Sequence, residues 1–250
     1  MVTIATSLSP APASREIQKS ALESWRQAGF RSVSLNFPEE IEGLKKDFQS
    51  LTEFRPTGRS SKFAGNRKLV PVADLLEVSF EAGVGPAFVL NADIHLSKDS
   101  SQLSRCPSDA VVLLPRWEVD AVSAKGAEKN PWGWDGILVG RNLRGRFSNP
   151  SFGLGLPWWD YWIPFRALYL KADLFEPGER LATHVRHPEK WNERDREALT
   201  PEMWREVGVG PMRRFWMKNF GPKPMRKNYG YHNHLAGLIR EKVSAAKKPF

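Results

Sequence analysis

The sequence has little of what defines several large protein classes. Its 250 residues include one cysteine, Cys106, which excludes a disulfide framework and any site built from several cysteine ligands. No run of about 18 apolar residues is present, so no membrane-spanning helix is predicted. The first residues lack the basic and long apolar segments of a secretory leader. We therefore expect a cytoplasmic protein.

Several short catalytic motifs are also missing. The sequence contains no Walker P-loop, no GxGxxG after the first predicted strand, no HExxH and no GxSxG. These absences argue against P-loop, dinucleotide-binding, zincin-type and nucleophile-elbow chemistry.

Basic charge is concentrated towards the C-terminus. Residues 205–250 hold eleven Lys/Arg and two Asp/Glu, whereas the preceding residues are balanced. Such a tail predicts a polyanionic partner, namely nucleic acid, an anionic membrane surface or substrate phosphates. Residues 213–220 add Trp and Phe, which suits peripheral contact with the inner membrane face or stacking on single-stranded nucleic acid. The alternative is a tail whose aromatics pack on the body while its charges face solvent.

The hydrophobic pattern predicts an α/β protein. Short β-branched or wholly apolar runs alternate with segments of helical periodicity, which is typical of a sheet with parallel strands. Strands are predicted at residues 2–8, 31–36, 86–90, 110–115 and 136–140, and helices at 14–28, 39–49, 70–82 and 164–173. We expect a single Rossmann-like domain over residues 1–187, with a mixed, mostly parallel central sheet flanked by helices. Residues 188–250 are predicted to form a basic extension of short helices and loops.

The predicted strand at 86–90 runs directly into Asn91-Ala92-Asp93. Ligands of open α/β sheets bind at the carboxyl ends of strands. A carboxylate there, with an amide oxygen two residues earlier, can hold a hard divalent cation that in turn binds a diphosphate. The alternative is a simple turn, because Asn and Asp often follow strands.

The same segment carries a family resemblance. Residues 4–12, then Gln18 and Trp25, then Ser34-Leu35-Asn36 and above all FVLNADI at 88–94 make residues 2–187 resemble the nucleotide-sugar-dependent glycosyltransferases of the GT-A fold. The Asp-x-Asp-type motif of these enzymes corresponds to Asn91-Ala92-Asp93, with Asn91 in place of the first Asp.

The resemblance implies a donor site and a cofactor. It implies transfer of a sugar from a nucleotide-sugar to an acceptor hydroxyl, assisted by Mn²⁺ or Mg²⁺ on Asp93 and Asn91. A C-terminal histidine, His184 or His187, would complete the metal site. Donor-binding residues by the same resemblance are Ser7, Ser9, Asn36, Asn91, Asp93 and Arg186, the last neutralising leaving-group charge.

Two clusters combine tryptophan with aspartate. Trp132 and Trp134 precede Asp135, while Trp158 and Trp159 precede Asp160. The tryptophans are candidates for stacking on sugar rings, and the alternative is a tryptophan-dense core. Because family members commonly place a catalytic carboxylate after the metal motif, Asp160 is the predicted general base and Asp135 the second candidate. Burial among aromatics would raise the pKa of Asp160.

The acceptor stays open between a glycan, a lipid-linked glycan and modified DNA. Two other functions compete with glycosyl transfer. One is a non-enzymatic nucleic-acid-binding protein that works through the basic tail. The other is a degenerate GT-A fold that binds glycans without turnover. The presence of Asn91 in place of an acidic residue supports this alternative.

Overall fold

The computed structural model describes residues 1–61, 68–121, 126–187, 193–208, 237 and 239–243. The side chains of Pro131, Trp132, Glu193, Trp204 and Val207 are outside this description. The segment 213–220, on which the membrane and nucleic-acid predictions rest, lies outside the described residues as well. No helix in the described ranges is long and apolar enough to cross a bilayer.

Helices in the described part of the chain follow the predicted periodicity. In the first, Gln18, Ala21, Leu22 and Trp25 form the buried stripe, and Gly29 follows its end with a φ of 85°. The α-helices are α1 (Arg15–Gln27), α2 (Pro38–Phe48), α3 (Val72–Ala82), α4 (Trp159–Tyr169) and α5 (Glu193–Gly208).

The strands form one mixed sheet. They are β1 (Thr3–Thr6), β2 (Arg31–Asn36), β3 (Glu53–Pro56), β4 (Ala87–Leu90), β5 (Ile94–Leu96), β6 (Ala110–Val119), β7 (Glu128–Val139), β8 (Asp173–Phe175) and β9 (Ala182–Val185). Their order is β3-β2-β1-β4-β7-β6-β9-β5, with β8 also paired to β6. The pairings of β1, β2, β3 and β4 are parallel, as are those of β6 with β8 and β9, whereas β7 is antiparallel to its neighbours. The predicted fold class, a mostly parallel sheet flanked by helices, is confirmed.

Both faces of the sheet are covered. Along β4, Ala87 and Val89 belong to one hydrophobic cluster, whereas Phe88 and Leu90 belong to the other. This alternation is the two-residue period of a strand buried on both sides. It explains why the β4 sequence is wholly apolar.

Several elements differ from the prediction. The helix expected at 164–173 lies at Trp159–Tyr169 and contains Pro164, and the strand expected at 136–140 begins at Glu128. Four short strands, β3, β5, β8 and β9, were not predicted. Each has three or four residues, too few to show a period.

The C-terminal extension packs on the body where it is described. Leu199 and Met203 of α5 and Ile239 are fully buried in the cluster that holds α3 and α4. Glu202 accepts a hydrogen bond from Ser151 Oγ at 3.0 Å, and Glu206 accepts one from Trp162 Nε1 at 3.2 Å. This part of the extension therefore shares the core of residues 1–187.

Candidate metal centre and neighbouring carboxylates

The loop after β4 is held from both sides. The Asn91 N–H donates to the carbonyl of Asp135 on β7 at 2.9 Å, so β4 and β7 remain paired beyond the last strand residue. The fully buried indole of Trp25 donates to the Ile94 carbonyl at 2.7 Å. Asp93 therefore lies on a short, fixed segment at the carboxyl end of β4.

Two histidines reach the same place, His184 from β9 and His187 from just after its end. Pairing of β5 with β9 sets Ile94 opposite His184 and brings the histidine strand against Asp93. His187 Nε2 lies 3.1 Å from Asp93 Oδ2 and 3.1 Å from His184 Nε2. One ligand atom from each of these three residues lies within 4.8 Å of the others. The sequence leaves His184 and His187 as alternatives, and the structure places both beside Asp93.

These residues fit a divalent cation. Two ligands at right angles, each about 2.1 Å from a cation, are about 3.0 Å apart, close to the observed spacings. The buried Nδ1 of His184 has no hydrogen-bond partner among the described residues. Its Nε2, which lies beside His187 Nε2, is therefore the ring nitrogen that faces the cluster. Burial lowers the pKa of His184, against the opposing charges of Asp135 and Asp93, which favours the neutral ring that metals require. The chain thus brings together a ligand set for a divalent metal.

A further histidine lies behind the cluster. His95 on β5 is buried, and its Nε2 lies 2.9 Å from Ser20 Oγ of α1. Burial lowers its pKa, although the Asp93 charge opposes this. Its position in a three-residue strand left no pattern from which its proximity to Asp93 could be predicted.

Asp135 lies next to the metal ligands. Its Oδ1 accepts a hydrogen bond from Asn91 Nδ2 at 3.0 Å, and Arg116 Nε is 3.5 Å from its Oδ2. Arg116 Nε also lies 3.2 Å from Glu118 Oε1. Burial raises the pKa of Asp135, and the Arg116 charge opposes that rise. Asn91 is therefore joined to β7 through both its backbone and its side-chain nitrogen.

Asp160 is in the first turn of α4, close enough to Asp135 for the two charges to interact. Its Oδ2 accepts the Trp134 N–H at 3.2 Å and lies so close to Gly133 that a Cβ at Gly133 would overlap it. Gly133 has a φ of 74°, which favours glycine independently of the contact. Burial raises the pKa of Asp160 to about 7, against the hydrogen bond from Trp134, and the Asp135 charge adds to the rise.

The predicted sugar-stacking tryptophans are core residues. Trp134, Trp158 and Trp159 are each at most 3% exposed. Trp134 packs edge-on against Tyr161 at a centroid distance of 5.8 Å, and so does Trp158 at 6.0 Å. All three rings belong to the hydrophobic cluster that also contains Leu199 and Met203 of α5, so the alternative of a tryptophan-dense core describes them. The Trp132 side chain lies outside the described residues.

Trp158 has an unusual backbone conformation. Its φ of 79° lies in the left-handed region, which is costly for a residue with a Cβ and needs tertiary support. Its indole Nε1 donates to the Arg196 carbonyl on α5 at 3.3 Å. This contact links the helix carrying Asp160 to the C-terminal extension, and no sequence pattern predicts it.

The predicted donor-binding residues of β1 and β2 lie at the same sheet edge as Asn91. Asn36 is fully buried; it accepts the Ser34 hydroxyl at 2.6 Å and donates to the Leu8 carbonyl at 2.8 Å. The Ser9 backbone exchanges hydrogen bonds with the Gln18 amide at 2.7 and 3.0 Å, and Ser7 directly follows β1. Asn36 thereby shapes the loop after β1 through its side chain.

Arg186 has a different environment from the predicted one. Its guanidinium pairs with Glu118 at 3.3 Å, Asp120 at 2.9 Å and Glu128 at 2.9 Å, at the distal end of the β6–β7 pair. These carboxylates raise the pKa of Arg186, and the hydrogen bond to Glu118 makes the largest contribution. Arg186 is therefore the central cation of a surface ion-pair cluster with three carboxylates.

A shallow cavity of about 370 Å³ lies elsewhere, at the amino ends of β2 and β3. The parallel strands put that edge opposite the carboxyl end of β4, so the cavity is remote from Asp93.

Comparison with known proteins adds little to this geometry. No protein-family model matches the chain, and no curated protein matches it. Among solved structures, the chain is similar to Rv0371C from Mycobacterium tuberculosis H37Rv, described in complex with manganese. The two are 10% identical with a TM-score of 0.43, over 80% of this chain and 98% of that one. A likeness this distant says nothing about the site.

Proposed function

We propose that the protein is a metal-assisted glycosyltransferase that moves a sugar from a nucleotide-sugar donor to an acceptor hydroxyl. The observation that carries the proposal is the convergence of Asp93, His184 and His187 at the carboxyl end of β4. In open α/β sheets this is the edge where ligands bind. The nucleotide would lie along this edge, beyond β1, β2 and β4.

Asp93, His184 and His187 would hold a divalent cation there, and the cation would supply positive charge to the diphosphate that leaves with the nucleotide. The chain itself supplies two further carboxylates, Asp135 and Asp160, whose charges interact with each other. Asp135, beside Arg116 and Asn91, is suited to orient an acceptor hydroxyl through a hydrogen bond to its carboxyl group. Asp160, with a pKa near 7, is suited to take the proton, because a base works best when its pKa is close to the working pH.

The acceptor remains a prediction, whether a glycan, a lipid-linked glycan or modified DNA. Non-enzymatic nucleic-acid binding also remains a prediction, because most of the basic tail lies outside the described residues.

The donor site is tested by calorimetric titration of UDP, GDP, CDP and dTDP, each with and without Mn²⁺. We expect one nucleotide to bind in a metal-dependent manner, and Asp93→Ala to abolish the binding. Asp99→Ala is the matched control, since Asp99 is an exposed aspartate of the same region. Failure of every nucleotide to bind wild type would refute the proposal.

The roles of the two carboxylates are tested once the nucleotide is known. With the corresponding nucleotide-sugar, Asp160→Asn should retain donor binding but lose turnover, measured as release of the nucleoside diphosphate. Normal turnover in Asp160→Asn would remove Asp160 as the base and leave Asp135 as the candidate.

A further inference from the structure

The ligand set of the candidate metal centre is unusual in composition for a site that holds a diphosphate. Two of its three ligand atoms are imidazole nitrogens, from His184 and His187, and one is a carboxylate oxygen of Asp93. Mg²⁺ prefers oxygen ligands in octahedral geometry, whereas imidazole suits the later first-row transition metals. The chain therefore offers a nitrogen-rich site where a magnesium site would offer oxygens.

Among the described residues, no second carboxylate joins the cluster in place of Asn91. The Asn91 side-chain nitrogen donates to Asp135 and its backbone N–H donates to the Asp135 carbonyl, so Asn91 is directed to β7. The Asp135 carboxylate is in turn shared with Asn91 and Arg116. Asp93 is consequently the single carboxylate within the cluster of ligand atoms that the described residues form.

We propose that this centre selects among divalent cations through its two histidines, with affinity rising from Mg²⁺ through Mn²⁺ and Co²⁺ to Zn²⁺. First-row divalent metals generally follow this order at protein sites, and imidazole ligands favour the later metals, whereas carboxylate, carbonyl and water ligands suit Mg²⁺ and Mn²⁺. The inference rests on the metal site of the proposed function, but it concerns the metal alone. It therefore stands or falls separately from nucleotide binding.

The charge of the loaded site follows from the same ligand set. One carboxylate and two neutral imidazoles leave a bound dication with a net charge of about +1, where two carboxylates would leave none. A polyphosphate is then attracted to the loaded site, and each of the two ligands strengthens the binding of the other by the same factor.

The test uses the full chain, freed of metal by chelation and dialysis, and the metals alone as probes. Calorimetric or competition titrations give the affinity for Mg²⁺, Mn²⁺, Co²⁺ and Zn²⁺, and the visible spectrum of bound Co²⁺ reports nitrogen ligation. We expect His187→Ala to lower the affinity for Co²⁺ and Zn²⁺ by about tenfold or more, since loss of even a residue that only supports a ligand lowers metal affinity by about 10–100-fold. His187 is suited to substitution because its side chain is 26% exposed.

A second substitution at His187 separates the effect of ligand type from the effect of losing a ligand. His187→Asp replaces a nitrogen ligand by an oxygen, so it should narrow the preference for Co²⁺ over Mg²⁺ while leaving a metal bound. The matched control is the double variant His232→Ala/His234→Ala, which removes the other closely spaced histidines of the sequence and should leave the order unchanged.

Circular dichroism and thermal unfolding confirm that each variant is folded, and if His184→Ala fails to fold, the His187 variants decide the question. Equal affinity of wild type for Mg²⁺ and Co²⁺ would overturn the proposal. So would a Co²⁺ spectrum that is unchanged in His187→Ala but lost in the His232/His234 double variant.

Discussion

Replacing Asp160 by Asn should make the protein more stable at alkaline pH, although it removes a charged residue from the candidate site. The Asp160 carboxylate is buried between Gly133 and the Trp134 N–H, and burial raises its pKa from 3.8 to about 7. Asparagine keeps the shape and an oxygen that accepts the Trp134 N–H, but it has no charge to bury.

The sign and size follow from linkage. Because the folded-state pKa is raised, the native protein binds a proton that the unfolded chain has already released, so stability falls as pH rises from about 4 through about 7. A difference of about 3 pKa units at about 1.4 kcal/mol each gives at most about 4 kcal/mol. Relaxation and water entry reduce this, so we expect about 2–4 kcal/mol.

The assay is urea unfolding of wild type and Asp160→Asn at intervals between about pH 5 and about pH 8. The free energy of unfolding of Asp160→Asn relative to wild type should increase as pH rises from about 5 through about 7, with about a third of the linked difference already present at the acidic end, which lies above the unfolded pKa. Asp99→Asn, an exposed aspartate in place of a buried one, should follow wild type at every pH. Parallel curves for wild type and Asp160→Asn across this range would refute the burial of an ionisable Asp160.

Three further predictions test other parts of the structure. Gly133→Ala should destabilise the fold by about 1–3 kcal/mol in urea unfolding, because it combines a left-handed backbone with overlap on Asp160. Gly155→Ala, with a φ of 80° and open space around it, should lose only about 1 kcal/mol, and equal losses would contradict the Gly133 contact. Burial raises the pKa of Cys106 to about 12, so its thiol should react with dithiobisnitrobenzoate only after unfolding; rapid reaction of the native protein would show it exposed. Arg186→Ala should leave Mn²⁺-dependent nucleotide affinity unchanged in calorimetry, because its guanidinium pairs with surface carboxylates, and a clear loss would return it to the donor site.

Long or strongly patterned elements could be predicted from the sequence alone. The strand at Arg31–Asn36 is found where its alternation places it, and the buried stripe of α1 has the expected spacing. The short strands could not be predicted, because three or four residues become a strand only when a neighbour pairs with them. His184 shows the consequence: it was predicted near the end of the core without a strand, and its pairing with β5 and β6 makes it part of β9.

The sequence by itself determined the α/β class and the presence of polar residues after an apolar strand, because hydrophobic periodicity and strand-end residues are local properties. Only the tertiary structure decided which distant residues meet. Asp93 and His187 are 94 positions apart, and they come within 3.1 Å because β9 inserts between β5 and β6. Tertiary packing likewise decided that Trp134, Trp158 and Trp159 are buried, since a ring is buried or exposed according to the helices that cover it and not according to its own neighbours in the chain.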